Sequence, residues 1–304
     1  MTEEQLNKIL SVPEHPVDVV LDTDAGNETD DLYAIAYLLR SNDKLNTKAF
    51  YAAPYFNKRS TSPENGMEKS YDDIFNIIKL CGGSSAEVFK GSRTYLPNES
   101  TFVDSPAARD LVERAKKYSP DNPLYVIAIG AITNIASAIL MDSSICENIC
   151  LIWLGGNGHH YEYNMEFNIK QDIAASRVVM SSSVPFVQLP AYGVITDFSI
   201  SKPELLQWLV GTNPLADYLA NRTITMMDKI YGERNKYWTH IICDVCAIAW
   251  LLNDKDKFML SKIENVRLCD YDLYYEEPID KKMRYVYFVN RDNLMKDLIE
   301  KLLK

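Results

Sequence analysis

The architecture of this chain is set by residues 17–40, which read VDVVLDTDAGNETDDLYAIAYLLR. Residues 17–22 form a short apolar run of the kind found in strands that are buried on both faces of a sheet. After an acidic loop, residues 31–40 have the composition of a helix. A strand, a short loop and a helix in this order predict the start of a parallel βα unit.

The same alternation continues along most of the chain. We predict strands at residues 48–53, 86–90, 124–129, 150–154 and 184–189. We predict helices at residues 68–81, 106–118, from 133 onward and at 172–181. Further on, the sequence predicts a mainly helical region at 203–252, a late pair of strands at 267–275 and 284–290, and a closing helix at 291–304. We therefore expect an α/β fold in one domain, residues 1–304, with an open, mostly parallel, Rossmann-like sheet flanked by helices.

Composition narrows the class of protein. The 304 residues carry 32 Lys and Arg against 42 Asp and Glu, a net charge of −10, so a phosphate backbone would be repelled and nucleic acid is not an expected partner. Six scattered cysteines fit reduced thiols, and the charged N-terminal residues do not resemble a signal peptide. The longest uncharged run, 124–141, is interrupted by polar residues, so we expect no membrane span and a cytoplasmic location.

Four aspartates and Glu28 lie within the ten residues 22–31. In open α/β sheets, ligands bind beyond the carboxyl ends of the strands, which is where this segment begins. Capping and the helix dipole would account for Asp30 and Asp31 but not for the other acids. Grouped carboxylates repel one another unless they are protonated or bridged by a cation, and hard oxygen ligands favour calcium or magnesium. The segment therefore predicts a bound divalent cation.

Another class of enzyme also has Asp-x-Asp after its first strand. In haloacid-dehalogenase-like phosphatases the first Asp, here Asp22, is the nucleophile. Their motif usually continues with Gly-Thr, whereas Asp24 is followed by Ala25 and Gly26. A dinucleotide site is not indicated, because no G-x-G-x-x-G follows the first strand.

The acidic segment resembles the signature of the nucleoside hydrolases, and further matches follow in the family's order. They are IGAITNIA at 129–136, WLGG at 153–156, EFNI at 166–169, DIAA at 172–175 and Asp244. The resemblance covers residues 17–252. It implies the nucleoside hydrolase fold, and hydrolysis of the N-glycosidic bond of a ribonucleoside to ribose and a free base. It further implies a calcium cofactor, a role in purine and pyrimidine salvage, and a homodimer or homotetramer.

Site residues follow from the same resemblance. The calcium ligands implied are Asp24, Asp31, the carbonyl of Thr133, and Asp244. The substrate-binding residues implied are Asp30, Asn57, Asn164, Glu166 and Asn168. Asp24 would also act as the general base, taking a proton from a water molecule that calcium holds against the anomeric carbon. Carboxylates near the ring favour the positive charge that grows as the glycosidic bond breaks.

The chain departs from the usual family pattern at several positions. Five residues, 25–29, separate the acid groups where the family usually has three, and they include the extra carboxylate of Glu28, which we expect to line the site. Many members have His where this chain has Cys243, so His240 is our candidate for the catalytic acid that protonates the leaving base. His160 stands where an Asn is common, and Asn164 is a candidate to replace it. These departures leave the base preference open, and with it the alternative of a nucleoside-binding or ribose-binding protein without catalysis.

Overall fold

The computed structural model describes residues 1–304. Its strands are β1 (Val17–Thr23), β2 (Leu45–Ala52), β3 (Glu87–Lys90), β4 (Leu124–Ala128), β5 (Ile149–Leu154), β6 (Phe186–Leu189), β7 (Ser199–Ser201), β8 (Thr239–Ile241), β9 (Met259–Asn265) and β10 (Lys282–Val289). Its helices are α1 (Glu3–Ile9), α2 (Asp30–Leu39), α3 (Pro63–Leu80), α4 (Pro106–Ala115), α5 (Thr133–Met141), α6 (Phe167–Gln171), α7 (Ile173–Ser181), α8 (Lys202–Trp208), α9 (Pro214–Tyr231), α10 (Val245–Trp250) and α11 (Arg291–Leu302).

Eight strands form one sheet in the order β3-β2-β1-β4-β5-β6-β10-β9. All neighbouring pairs are parallel except β10 and β9. Strands β7 and β8 form a separate antiparallel pair. The predicted α/β fold with an open, mostly parallel sheet is therefore confirmed. None of the helices combines the length and the apolar character needed to cross a lipid bilayer.

Both faces of the sheet are covered, and the core is divided between them into clusters of 59 and 35 buried residues. Every residue of β4 and β5 is buried, which explains why these strands read as continuous apolar runs rather than alternating ones. Strand β1 pairs with β2 on one side and β4 on the other. From β1 the chain runs outward through β2 and β3 and then crosses back to β4 on the other side of β1. Such a reversal of strand order is a switch point, and it opens a crevice at the carboxyl ends of the strands.

One prediction about the C-terminal part was wrong. The partner of β10 is β9, not residues 267–275. That segment turns instead, because the Asp270 carboxylate accepts the backbone N–H groups of Asp272 and Tyr274 and Leu273 has a φ of 69°. The region at 203–252 is mainly helical, as predicted, and contains one short strand, β8, whose backbone pairs with β7.

Candidate active site

A cleft of about 460 Å³ opens at the carboxyl ends of β1, β4 and β5. It lies at the switch point of the sheet and is closed on the far side by residues from α9, β8 and the start of α10. The predicted site residues that line the cleft are Asp24, Glu28, Asp30, Asp31, Asn57, Glu166, Asn168, His240 and Asp244. Residues from distant parts of the sequence thus meet at one edge of the sheet.

The acids of the first βα unit reach the cleft from two elements. Asp24 directly follows β1, and its Oδ2 accepts a hydrogen bond of 3.0 Å from Asn27 Nδ2. Asp31 lies in the first turn of α2, where the Thr23 hydroxyl donates to its Oδ1 at 2.5 Å. The N-cap position of α2 is Thr29, so capping does not account for the Asp30 carboxylate. Asp24, Asp30 and Asp31 all line the cleft.

Asp244 comes from the other half of the molecule. It occupies the N-cap position of α10 but makes no capping hydrogen bond, and only 4% of its surface is exposed. One oxygen each of Asp30 and Asp244 and the Cys243 sulfur lie within 4.8 Å of one another. Ligand atoms of Glu28, Asp30 and His240 form a second set within the same distance. The predicted trio of Asp24, Asp31 and Asp244 lines the same cleft without forming a third such set.

Burial dominates the electrostatics of these acids. Loss of solvation, followed by the repulsion of neighbouring carboxylates, raises the pKa of Asp30 to about 8. Burial also raises the pKa of Asp24 to about 7, and burial with the neighbouring acids raises the pKa values of Asp31 and Asp244 well above the usual range. None of these four forms an ion pair with Lys or Arg. These four acids therefore have no cationic side chain as a partner, and their hard oxygen donors suit a divalent cation.

Glu166 and Asn168 join the cleft from the start of α6. The Glu166 carboxylate accepts the backbone N–H groups of Gly156, Asn168 and Ile169 at 2.9–3.0 Å, so it also caps α6. The Asn168 amide donates to the carbonyls of Ile129 at 3.1 Å and Leu154 at 2.9 Å. Asn168 therefore ties β4 to β5, and its Oδ1 accepts no hydrogen bond from the chain.

Three predicted residues do not line the cleft. Thr133 is the first residue of α5 rather than its N-cap, and its hydroxyl donates to Asp172 Oδ2 at 2.7 Å. Asn164 is fully buried, and its Oδ1 accepts the backbone N–H of Asn157 at 2.7 Å. His160 is exposed and packs against the ring of Tyr161, with 4.4 Å between centroids. The structure therefore gives Asn164 a role in shaping the loop after β5 and brings neither it nor His160 to the cleft.

His240 lies on β8 with 5% of its surface exposed, and its Nε2 is 3.0 Å from the Thr29 hydroxyl. Burial lowers the pKa of His240 to about 4, which makes the imidazole neutral near pH 7. Burial and the neighbouring acids raise the pKa of Cys243 well above its usual value, so this thiol stays protonated. Neither group carries a readily released proton at neutral pH.

Glu28 lines the cleft and forms an ion pair with Arg59 at 2.7 Å, while its side chain stays 41% exposed.

Asp22, the nucleophile of the phosphatase alternative, is different. It is fully buried within β1, its Oδ2 accepts a 2.7 Å hydrogen bond from Asn134, and it does not line the cleft. Asp22 is therefore not accessible as the nucleophile that phosphatase chemistry would need.

Sequence reasoning missed most of the apolar wall of the cleft. That wall contains Met165, Phe167, Ala191, Tyr192, Met227, Ile230 and Tyr231. Two other aromatic residues in this part of the chain do not line the cleft: Tyr237 is 92% exposed, and Trp238 is buried beside Lys202. Tyr192 could have been predicted from the sequence, because it follows the end of β6, where residues of the site are expected. Met227 and Ile230 of α9 carried no such signal, because none of the sequence motifs lies within that helix.

Comparison with known proteins relates this chain to one enzyme family. A sequence model of the inosine-uridine preferring nucleoside hydrolases matches residues 19–284. The inosine-uridine preferring nucleoside hydrolase of Crithidia fasciculata is 27% identical over 186 residues, and the match spans 58% of this chain and only 56% of that relative.

Solved structures show the same architecture. A plant nucleoside hydrolase superposes with a TM-score of 0.73 at 16% identity, covering 95% of this chain and 99% of that one. The purine-preferring ribonucleoside hydrolase of Gardnerella vaginalis gives 0.72 at 18% identity, covering 94% and 98% of the two chains. At these identities the likeness establishes a shared fold.

Proposed function

The chain belongs to the inosine-uridine preferring nucleoside hydrolase family, and from this membership we propose that it hydrolyses the N-glycosidic bond of ribonucleosides with the help of a divalent cation. The observation that carries the proposal is the group of acids Asp24, Asp30, Asp31 and Asp244, which share one cleft without an ion-pair partner; Asp24, Asp31 and Asp244 are buried and Asp30 is partly buried. Such a group is costly to bury unless a ligand or an ion compensates its charge.

The donor set fits a hard cation, and the family resemblance implies calcium. Asp24, Asp31 and Asp244 would hold the ion, and the carbonyl of Thr133 remains the predicted fourth donor. When bound, the ion would favour the ionised carboxylates and polarise a water molecule and the sugar hydroxyls. All four proposed donors are carboxylate or carbonyl oxygens, the donors that calcium prefers.

Binding of ribose would fall to Asp30, Glu166 and Asn168. Each lines the cleft, and the Oδ1 of Asn168 has no donor in the chain. Asn57 also lines the cleft, but its amide nitrogen and oxygen already bond Asn27 and the Arg59 backbone. We therefore assign Asn57 to the support of the site rather than to the sugar.

Asp24 is the proposed general base. It lies at the carboxyl end of β1, and its ionised form would accept the proton of the attacking water. The positive charge that develops on the sugar ring would be stabilised by the surrounding carboxylates. Proton transfer of this kind contributes about 10²-fold to 10⁴-fold to a rate, so Asp24→Asn should reduce kcat by a factor in that range.

This chain differs from the family pattern in the residues available to assist departure of the base. The apolar wall with Tyr192, Tyr231 and Met165 would pack against the base, and His240 is the proposed proton donor. Because the pKa of His240 is about 4, the donor would be a neutral imidazole unless the bound substrate changes its surroundings. This observation favours a second candidate function, a nucleoside-binding protein without turnover.

The test is incubation with inosine, uridine, cytidine and adenosine, followed by an assay for free reducing sugar, with and without a chelator. We expect release from at least one nucleoside, loss with the chelator, and recovery with calcium. Asp18→Asn is the matched control for Asp24→Asn, because Asp18 lies on the same strand and pairs with Lys48 at 3.3 Å, away from the cleft. Calorimetric binding without release from any nucleoside would replace hydrolysis by the second candidate.

A further inference from the structure

The loop between β1 and α2 contains an amide side chain whose orientation is fixed by a chain of hydrogen bonds. The chain starts at the backbone N–H of Arg59, which donates to Asn57 Oδ1 at 2.8 Å. Asn57 then presents its Nδ2, which donates to Asn27 Oδ1 at 2.7 Å. The Nδ2 of Asn27 is thereby directed to Asp24 Oδ2, at 3.0 Å.

Each link in this chain determines the next. A backbone N–H can only donate, so the amide oxygen of Asn57 must face Arg59. Rotating either amide by half a turn would bring two donors or two acceptors together, with the carboxylate of Asp24 facing an amide oxygen at the end. The donor that meets Asp24 is therefore selected by groups that do not touch Asp24.

The other side of Asp24 is also confined. A Cβ atom on Gly130 would lie 2.9 Å from Asp24 Oδ1, so this oxygen occupies the space that a side chain at position 130 would take. The backbone N–H of Asn27 donates to the Asp24 carbonyl at 2.8 Å, which fixes the separation of the two residues. One oxygen of Asp24 is thus held by Asn27, and the other lies against the backbone of Gly130.

The loop around Asn27 is fastened at both ends to the segment after β2. Before Asn27, the Tyr55 hydroxyl donates to the Gly26 carbonyl at 2.7 Å. After it, the Glu28 carboxylate pairs with Arg59 at 2.7 Å. The residues that make this loop longer than the usual family signature are therefore the ones that carry and hold the amide.

From this geometry we propose that Asn27 is a positioning residue for Asp24, and that Asn57 fixes the direction of the Asn27 amide. The inference rests on the proposed function, in which Asp24 accepts a proton from water. Loss of the Asn27 donor would let the carboxylate rotate away from the attacking water while the residues that hold the sugar stay in place. The rate constant kcat should therefore fall by about 10-fold to 100-fold, the range for a hydrogen bond to a charged group, with KM little changed.

The experiment compares Asn27→Ala, Asn27→Asp, Asn57→Ala and the double variant of Asn27→Ala with Asn57→Ala. Asn46→Ala is the control, because Asn46 donates to Asp18 at 2.7 Å on the exposed, opposite end of the strands. For each protein we would measure kcat and KM, calcium affinity by calorimetry, and the thermal midpoint. Asn27→Asp is the sharpest variant, since it keeps the size of the side chain but replaces the donor by an acceptor.

We expect kcat to fall in Asn27→Ala and Asn27→Asp and to fall less in Asn57→Ala. The double variant should have the same kcat as Asn27→Ala alone. Calcium should bind Asn27→Asp at least as tightly as wild type, because a carboxylate is added beside the site. A merely structural role would lower kcat, calcium affinity and the thermal midpoint together, and that result would overturn the inference. If the wild type is active and Asn27→Ala is equally active, the inference is overturned and the proposed function stands. If the wild type is inactive on every nucleoside, the proposed function and the inference are both overturned.

Discussion

Substitution of Gly130 by Ala tests whether the exact placement of the Asp24 carboxylate governs the reaction. The new Cβ would lie 2.9 Å from Asp24 Oδ1, 3.2 Å from Asp24 Cγ and 3.2 Å from Ala53 Cβ. Gly130 has no positive φ, so alanine brings steric contact without backbone strain. Since ordinary contacts of a Cβ begin near 3.4 Å, the Asp24 carboxylate must move by about half an ångström or tilt.

Such a movement should change the stability of the fold little and the reaction rate strongly. Overpacking of this kind costs about 1–3 kcal/mol of stability, whereas displacement of a catalytic group by about 1 Å can cost roughly 100-fold in rate. We expect kcat of Gly130→Ala to fall by about 10-fold to 100-fold while the protein remains folded at room temperature.

Steady-state kinetics and thermal unfolding of four proteins provide the assay: wild type, Gly130→Ala, Asp24→Asn and the double variant. If the alanine acts through the carboxylate, it should cause no further loss once Asp24 has been replaced. Wild-type kcat in Gly130→Ala would refute the reasoning. So would a loss of the same size in the Asp24→Asn background, because the methyl group would then act elsewhere.

Three further predictions follow from the site. Removing the cation with a chelator should lower the thermal midpoint. Calcium added at about 100 times its dissociation constant should restore roughly 2.7 kcal/mol of stability, as measured by thermal scanning. An unchanged midpoint would contradict a cation at the acids. In chelated protein, the pKa of Asp24 is raised from 3.8 to about 7. Between these two pH values the folded state binds more protons than the unfolded state, so the free energy of unfolding should fall as the pH rises from about 4 to 7. Thermal midpoints recorded across this range should show that slope and its reduction by calcium, and a stability that rises with pH would oppose it. Asn168→Asp should lose about 1–3 kcal/mol of stability in denaturant unfolding, because the Ile129 and Leu154 carbonyls lose their donors, and an unchanged midpoint would show that the tie between β4 and β5 is dispensable.

The βα alternation and the acidic segment after β1 were predictable because their signals are local. A buried parallel strand reads as an apolar run, and its carboxyl end is known once the strand is known. Asp24, Asp30 and Asp31 could therefore be assigned to the site from residues 17–40 alone. The family resemblance added Glu166, Asn168 and Asp244, and all three line the cleft.

Which polar side chains face the cleft depended on contacts between distant segments. Asn164 and Asn168 lie four residues apart, yet Asn164 is turned inward, where its backbone N–H donates to the Leu273 carbonyl at 2.6 Å, while Asn168 spans two strand ends. Local sequence specifies helices and strands through periodicity, but it does not specify the backbone direction of a loop that is held from elsewhere.

Residues 17–40 were thus sufficient to place a carboxylate group after a buried strand, because strand burial and the order of elements are encoded within a few residues. The partners of that group were set by packing. Cys243 meets Asp30 across 213 residues of sequence, and Asn57 reaches Asn27 from the end of a different strand. The charge of the site was likewise a property of the folded chain, since the same acids would be solvated and ionised at neutral pH in an extended chain and become costly only when the helices and strands exclude water.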